Sequence, residues 1–125
     1  MMTITAEFKT RTFLGLTDCK ADKHVFRNPR DVEEVEGVIK WVKTAFARGN
    51  DTVVTFGYFD ETQYDFYRLF KDWKDGVEGI REIRWDRKGN VVGDWFHKKL
   101  TTKLIREVYL DTADKYLDHE YGAGA

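Results

Sequence analysis

Hydrophobic and polar positions alternate along the first stretch of the chain. Ile4, Ala6, Phe8, Thr12, Leu14 and Leu16 share one parity, and Thr5, Glu7, Lys9 and Arg11 share the other. A period of two predicts a long strand with one buried and one wet face. Thr17 to Asp22 is polar and reads as a turn, and Lys23 to Arg27 as a short second strand hairpinned onto the first. The period then changes. Asn28 can cap a helix, and Pro29 suits its first position because proline has no N–H to satisfy. Val32, Val35, Val38, Ile39, Val42 and Phe46 return every three or four residues, and Gly49 can close the helix in a left-handed conformation. A helix over 29–48 follows.

Val53 to Phe59 is apolar on both parities and rich in β-formers, which predicts a central strand. Asp60 and Gln63 have capping-box spacing. The residues after them, with Tyr64, Phe66, Tyr67, Phe70 and Trp73, predict a second helix over 61–75, broken by Gly76 and Gly79. Arg81 to Asp86 and Val91 to Phe96 flank Arg87-Lys88-Gly89-Asn90, a hairpin signal. Leu100, Leu104, Ile105, Val108, Ala113, Tyr116 and Leu117 give the buried side of a last helix over 98–120. The tail at 122–125 is expected to fray. The predicted order is β-β-α-β-α-β-β-α: an α+β fold, mostly antiparallel, with about three helices on one face of the sheet.

Composition narrows the class. With 125 residues, 42% hydrophobic and 15% aromatic, the chain suits a single domain, 1–125, with one core. The single Cys19 excludes an internal disulfide and favours a reducing, cytoplasmic setting. Neither a membrane span nor a basic, apolar leader is present in the sequence. Near-neutral net charge, −1, means that any nucleic-acid binding must come from a local patch.

Chemistry is sparse. Serine is absent, so serine catalysis is excluded. Cys19 and His24 could form a dyad only if the fold brought them together. The histidines His24, His97 and His119 have no zinc spacing, and no glycine-rich phosphate loop occurs, so no metal or cofactor is expected. Glu82, Asp86, Lys88 and Asp94 lie on or beside the predicted hairpin, where two acids and a lysine could serve a metal-dependent nuclease. Their spacing is not diagnostic.

Two features remain. Residues 81–106 carry eight basic and three acidic side chains. Arg84, Arg87, Lys88, Lys98, Lys99 and Lys103, interleaved with Trp85, Trp95 and Phe96, could hold a nucleic acid. The plainer reading makes those aromatics core and the lysines solvated. The second feature is the aromatic helix, which cannot bury all its rings. Tyr64 and Tyr67 on its outer side would suit a protein interface. The expectation is a small non-enzymatic binding or accessory protein, an inhibitor that occupies an unidentified protein partner. A nucleic-acid module is the alternative, and a nuclease a third.

Overall fold

The computed structural model describes residues 2–11, 17–26, 29–48, 51–59 and 63–121. Among them, six strands and two helices form an α+β fold: β1 (Met2–Arg11), β2 (Thr17–Phe26), α1 (Val32–Arg48), β3 (Val53–Phe59), β4 (Gln63–Lys74), β5 (Val77–Trp85), β6 (Val91–His97) and α2 (Thr102–Tyr121). The strands make one antiparallel sheet in the order β2-β1-β3-β4-β5-β6. α1 carries the chain from β2 across β1 to β3, a split β-α-β unit. From β3 onward the sheet is a meander.

Both helices cover the same face. Met2, Ile4 and Ala6 on β1, Val54, Phe56 and Tyr58 on β3, and Phe66, Tyr67 and Leu69 on β4 are buried there. They meet Val35, Val38, Ile39, Val42, Ala45 and Phe46 of α1, and Leu104, Ile105, Val108, Tyr109 and Ala113 of α2. The expected core of both helices is thus largely observed, with Tyr109 added. Arg106 to Glu36 at 2.9 Å ties the two helices, and Arg30, just ahead of α1, binds Asp114 of α2 at 2.6 Å.

Several expectations are corrected. The aromatic segment is not a helix but strand β4. Asp75 (φ 52°) and Gly76 (φ 77°) form the two-residue turn that leads it into β5. Left-handed conformation at both positions is what a tight hairpin needs, and Asp-Gly provides it. A bulge lies between Phe56 and Gly57: Phe56 pairs with Tyr67 and Gly57 with Asp65, so Phe66 is the extra residue. Phe66 and Tyr67 are therefore both buried although adjacent.

The polar stretch from Thr17 is also strand, held by its ladder to β1 from Arg11↔Thr17 to Met2↔Phe26. α1 starts later than expected, at Val32, because Asp31 caps it: its Oδ1 accepts from Glu33 N–H at 2.9 Å and Glu34 N–H at 3.4 Å. α2 likewise starts at Thr102, with the Thr101 hydroxyl accepting from Leu104 N–H at 3.1 Å. Lys98 and Lys99 hence precede the helix. The caps expected at Asn28, Gly49 and Asp60, and the tail at 122–125, lie outside the described residues.

Candidate interaction surface

Alternation along β5 and β6 distributes the basic segment over two faces and two ends. On the helix side stand Glu82 and Arg84 from β5 with Trp95 and His97 from β6. On the open side stand Arg81, Ile83 and Trp85 with Asp94 and Phe96. Arg87 and Lys88 occupy the turn at one end of the hairpin, and Lys98 and Lys99 follow β6 at the other.

The helix-side residues form a polar network beside α2. The Tyr67 hydroxyl donates to Asp111 Oδ2. Lys115 Nζ donates to the same oxygen at 2.5 Å, and the Arg84 guanidinium lies 3.3 Å from it. Arg84 also sits 5.4 Å above the Tyr67 ring. Burial works to raise the Asp111 carboxyl, but the hydrogen bonds from Lys115 and Tyr67, with the charges of Lys115 and Arg84, hold it below its ordinary value. Burial first, then the hydrogen bond to Asp111 and its charge, push the Tyr67 phenol up. Next to this network His97 Nε2 lies 2.8 Å from Oε1 of Glu82, which is 8% exposed.

On the open face Arg81 is gripped by two carboxylates, Asp72 and Asp94, each at 3.0 Å, and lies 5.8 Å from the Phe96 ring. The backbone N–H of Trp73 and the Arg81 guanidinium hold Asp72 below the usual carboxylate range. Arg68 stacks 5.2 Å over Trp85. Phe96 lies over Gly79, where any side chain would meet its ring at 2.4 Å. No helix covers this side, which presents partly buried Phe70, Ile83, Trp85 and Phe96 among paired charges.

The remaining sequence candidates fall as follows. Tyr64 and Tyr67 do not stand outward as they would on a helix. Tyr67 is 4% exposed, and Tyr64 joins an aromatic group in which its ring lies 5.0 Å from Tyr58 and 5.9 Å from His119. Of the basic set, Arg84 is engaged with Asp111. Arg87 donates to the Lys115 carbonyl at 3.1 Å, and Lys103 lies 3.9 Å from Glu107. Lys88, Lys98 and Lys99 are exposed. These cations do not share one face.

The acids proposed for metal are also parted. Glu82 points to the helix side and Asp94 to the open side, while Asp86 folds back on its own turn, accepting from the N–H groups of Lys88 at 2.8 Å and Asn90 at 2.9 Å. Those bonds, Asn90's first, hold Asp86 below its ordinary value. Among the described residues no cluster of His, Cys, Asp and Glu could hold a metal ion. Cys19 sits opposite Lys9 in the β1–β2 ladder, and the His24 ring lies against Trp41 at 5.8 Å. No helix among the described residues is long and apolar enough to cross a membrane.

The signal missed in the sequence is the apolar edge. Among the described residues seven large apolar side chains are exposed, and five of them, Trp73, Val77, Val91, Val92 and Trp95, belong to β4–β6. α2 reaches β4 and β5 through Tyr67 and Arg84, and edge strand β6 lies beyond it. Val91, Val92 and Trp95 lie on edge strand β6, 60%, 54% and 45% exposed. The Trp95 ring folds back over Gly93, where any Cβ would meet it at 2.0 Å. Comparison with family models, with curated proteins and with solved structures finds no match.

Proposed function

We propose that the protein is a non-enzymatic binding protein that occupies a protein partner through the β4–β6 flank of its sheet. The observation that carries this reading is the exposure of Val91, Val92 and Trp95 along edge strand β6. Scattered exposed apolar residues are ordinary on any protein, whereas apolar side chains left exposed along an open edge strand are unusual unless something pairs with that edge. Large aromatic side chains supply much of the energy at such sites. Arg81, Arg84, Asp72 and Asp94 nearby are paired within the chain, so they set the shape of the flank and leave its apolar part to drive association.

A nucleic-acid surface would need several cations along one path. Here Arg81 and Arg84 are held by carboxylates, and the exposed lysines sit at opposite ends of β6.

The test compares the wild-type protein with a Val92→Lys, Trp95→Lys double variant. Both are immobilised and exposed to lysate of the source cells, with and without nuclease. The reading expects a protein retained by the wild type after nuclease treatment and lost by the variant, with circular dichroism unchanged. Retention by both, or loss on nuclease treatment, would overturn it.

A further inference from the structure

We infer that β6 binds its partner by strand addition, and that the incoming strand has an apolar centre flanked at both ends by acidic residues. This rests on the reading of the β4–β6 flank as the interface and names the chemistry of what docks there.

The two edges of the sheet differ. The β2 edge has Asp18, Lys20, Asp22 and Lys23 in its ten residues. Charges of that density are how natural sheets prevent another strand from pairing with an open edge. β6 has one charge, Asp94, and Arg81 binds it at 3.0 Å. Proline is absent from β6. An edge strand leaves alternate backbone N–H and C=O groups facing away from its neighbour, and among the described residues β6 makes no backbone hydrogen bond outside its ladder with β5. Past the bulge at Val92 the strand is regular, and Val91 on the open side and Trp95 on the helix side would each meet a side chain of an added strand.

Charge selects the occupant. Arg87 and Lys88 stand at the start of β6, and Lys98 and Lys99 just past its end. A second copy of this chain paired antiparallel to β6 would bring one basic end against the other. Self-pairing is therefore opposed, since like charges placed opposite each other are unfavourable. A different strand with acids at both ends meets cations at both, in either direction.

The probe is a fluorescent peptide of alternating valine and threonine with two glutamates at each end. Its controls are the same peptide with lysines at the ends, and two N-methylated versions carrying methyl groups on alternate residues, one in each phase. Anisotropy with the intact protein is expected to show binding of the glutamate peptide, and weaker binding as salt rises. One methylation phase is expected to abolish binding and the other to leave it within about threefold, because one row of peptide N–H groups faces β6. Lys98→Glu with Lys99→Glu is expected to weaken the glutamate peptide about fivefold or more and to favour the lysine peptide.

Equal tolerance of both methylation phases, or preference for the lysine peptide by the wild-type protein, would overturn the inference. So would the absence of any binding, or a dimer through β6 in sedimentation equilibrium. If the partner captured from lysate is lost on substitution of Trp95 yet is not displaced by the glutamate peptide, the flank remains the interface and strand addition alone falls.

Discussion

Tyr67 belongs to the core by its ring and to a charged network by its hydroxyl. The ring is buried under α2, and the hydroxyl donates to Asp111. Tyr67→Phe keeps the ring and is expected to cost about 1 kcal/mol, the usual worth of one hydrogen bond. Tyr67→Ala is expected to cost about 3 to 5 kcal/mol, as for other buried aromatics. Urea unfolding midpoints check both, and equal losses would mean that the ring contributes little.

Asp111 adds a pH dependence. Its folded value lies below its unfolded one, so its charge stabilises the fold above the ordinary carboxylate value, and that contribution fades as pH falls through the folded value. Asp111→Asn is expected to lose about 1 to 2 kcal/mol near neutral pH, a figure kept modest because the carboxylate is partly exposed. The gap between wild type and variant should close below about pH 4. A gap that stays constant across pH would assign Asp111 a purely neutral hydrogen-bonding role. None of this network was legible in the sequence, because its four members come from β4, β5 and α2 and only the sheet register brings them together.

β4 shows how an element can be misread. Its large apolar residues alternate as a strand requires, Tyr64 and Phe66, then Tyr67 and Leu69, but the bulge shifts the phase by one residue. That shift places Tyr64 and Tyr67 three apart, and the pattern then imitates a helix. The Asp75-Gly76 turn was the stronger local signal, since Asp-Gly between β-forming segments points to a hairpin. Periodicity was clearer elsewhere: Val53–Phe59 is a strand, third of six, and the expected stripe from Val35 to Phe46 is the buried side of α1, although Val32 at its start is exposed.

The bulge also fixes a glycine. A Cβ on Gly57 would stand 2.0 Å from the Tyr64 carbonyl oxygen, a backbone atom that cannot rotate away. Gly57→Ala is accordingly expected to cost more than about 2 kcal/mol, through displaced backbone, and to lower the melting temperature by several degrees. A variant as stable as the wild type would show that the bulge can relax.

Across the whole molecule, the class of fold was legible and the neighbour order was not. Short turns identify hairpins, so β5 and β6 were paired from sequence. Nothing local indicates that β1 lies between β2 and β3, because that ladder joins segments on either side of α1. The uncovered flank was equally hidden. Trp95 and Phe96 look alike in the sequence, yet one folds over Gly93 on the helix side and the other over Gly79 on the open side. Trp95 meets solvent because the helices stop short of β6, whereas Phe96 is sheltered against Gly79 and Arg81 on the face no helix covers.

The position of β1 has a kinetic consequence. β3 to β6 form from segments that neighbour one another in sequence, and such contacts close quickly. The β1–β3 ladder must join Met2 to Tyr58 and Glu7 to Val53 across α1, which costs more loop entropy before any contact rewards it. The meander is therefore expected to organise first, with the amino-terminal hairpin docking after the rate-limiting barrier. Leu69→Ala in β4 should then slow refolding, while Ile4→Val in β1 should leave refolding nearly unchanged and speed unfolding. Stopped-flow chevron plots of the two variants measure this. A slower refolding arm for Ile4→Val would place β1 inside the nucleus instead. On the expected order, the hairpin that locks in last is made before the meander it docks on, so translation delivers β1 and β2 ahead of their partner and they wait until β3 to β6 have formed.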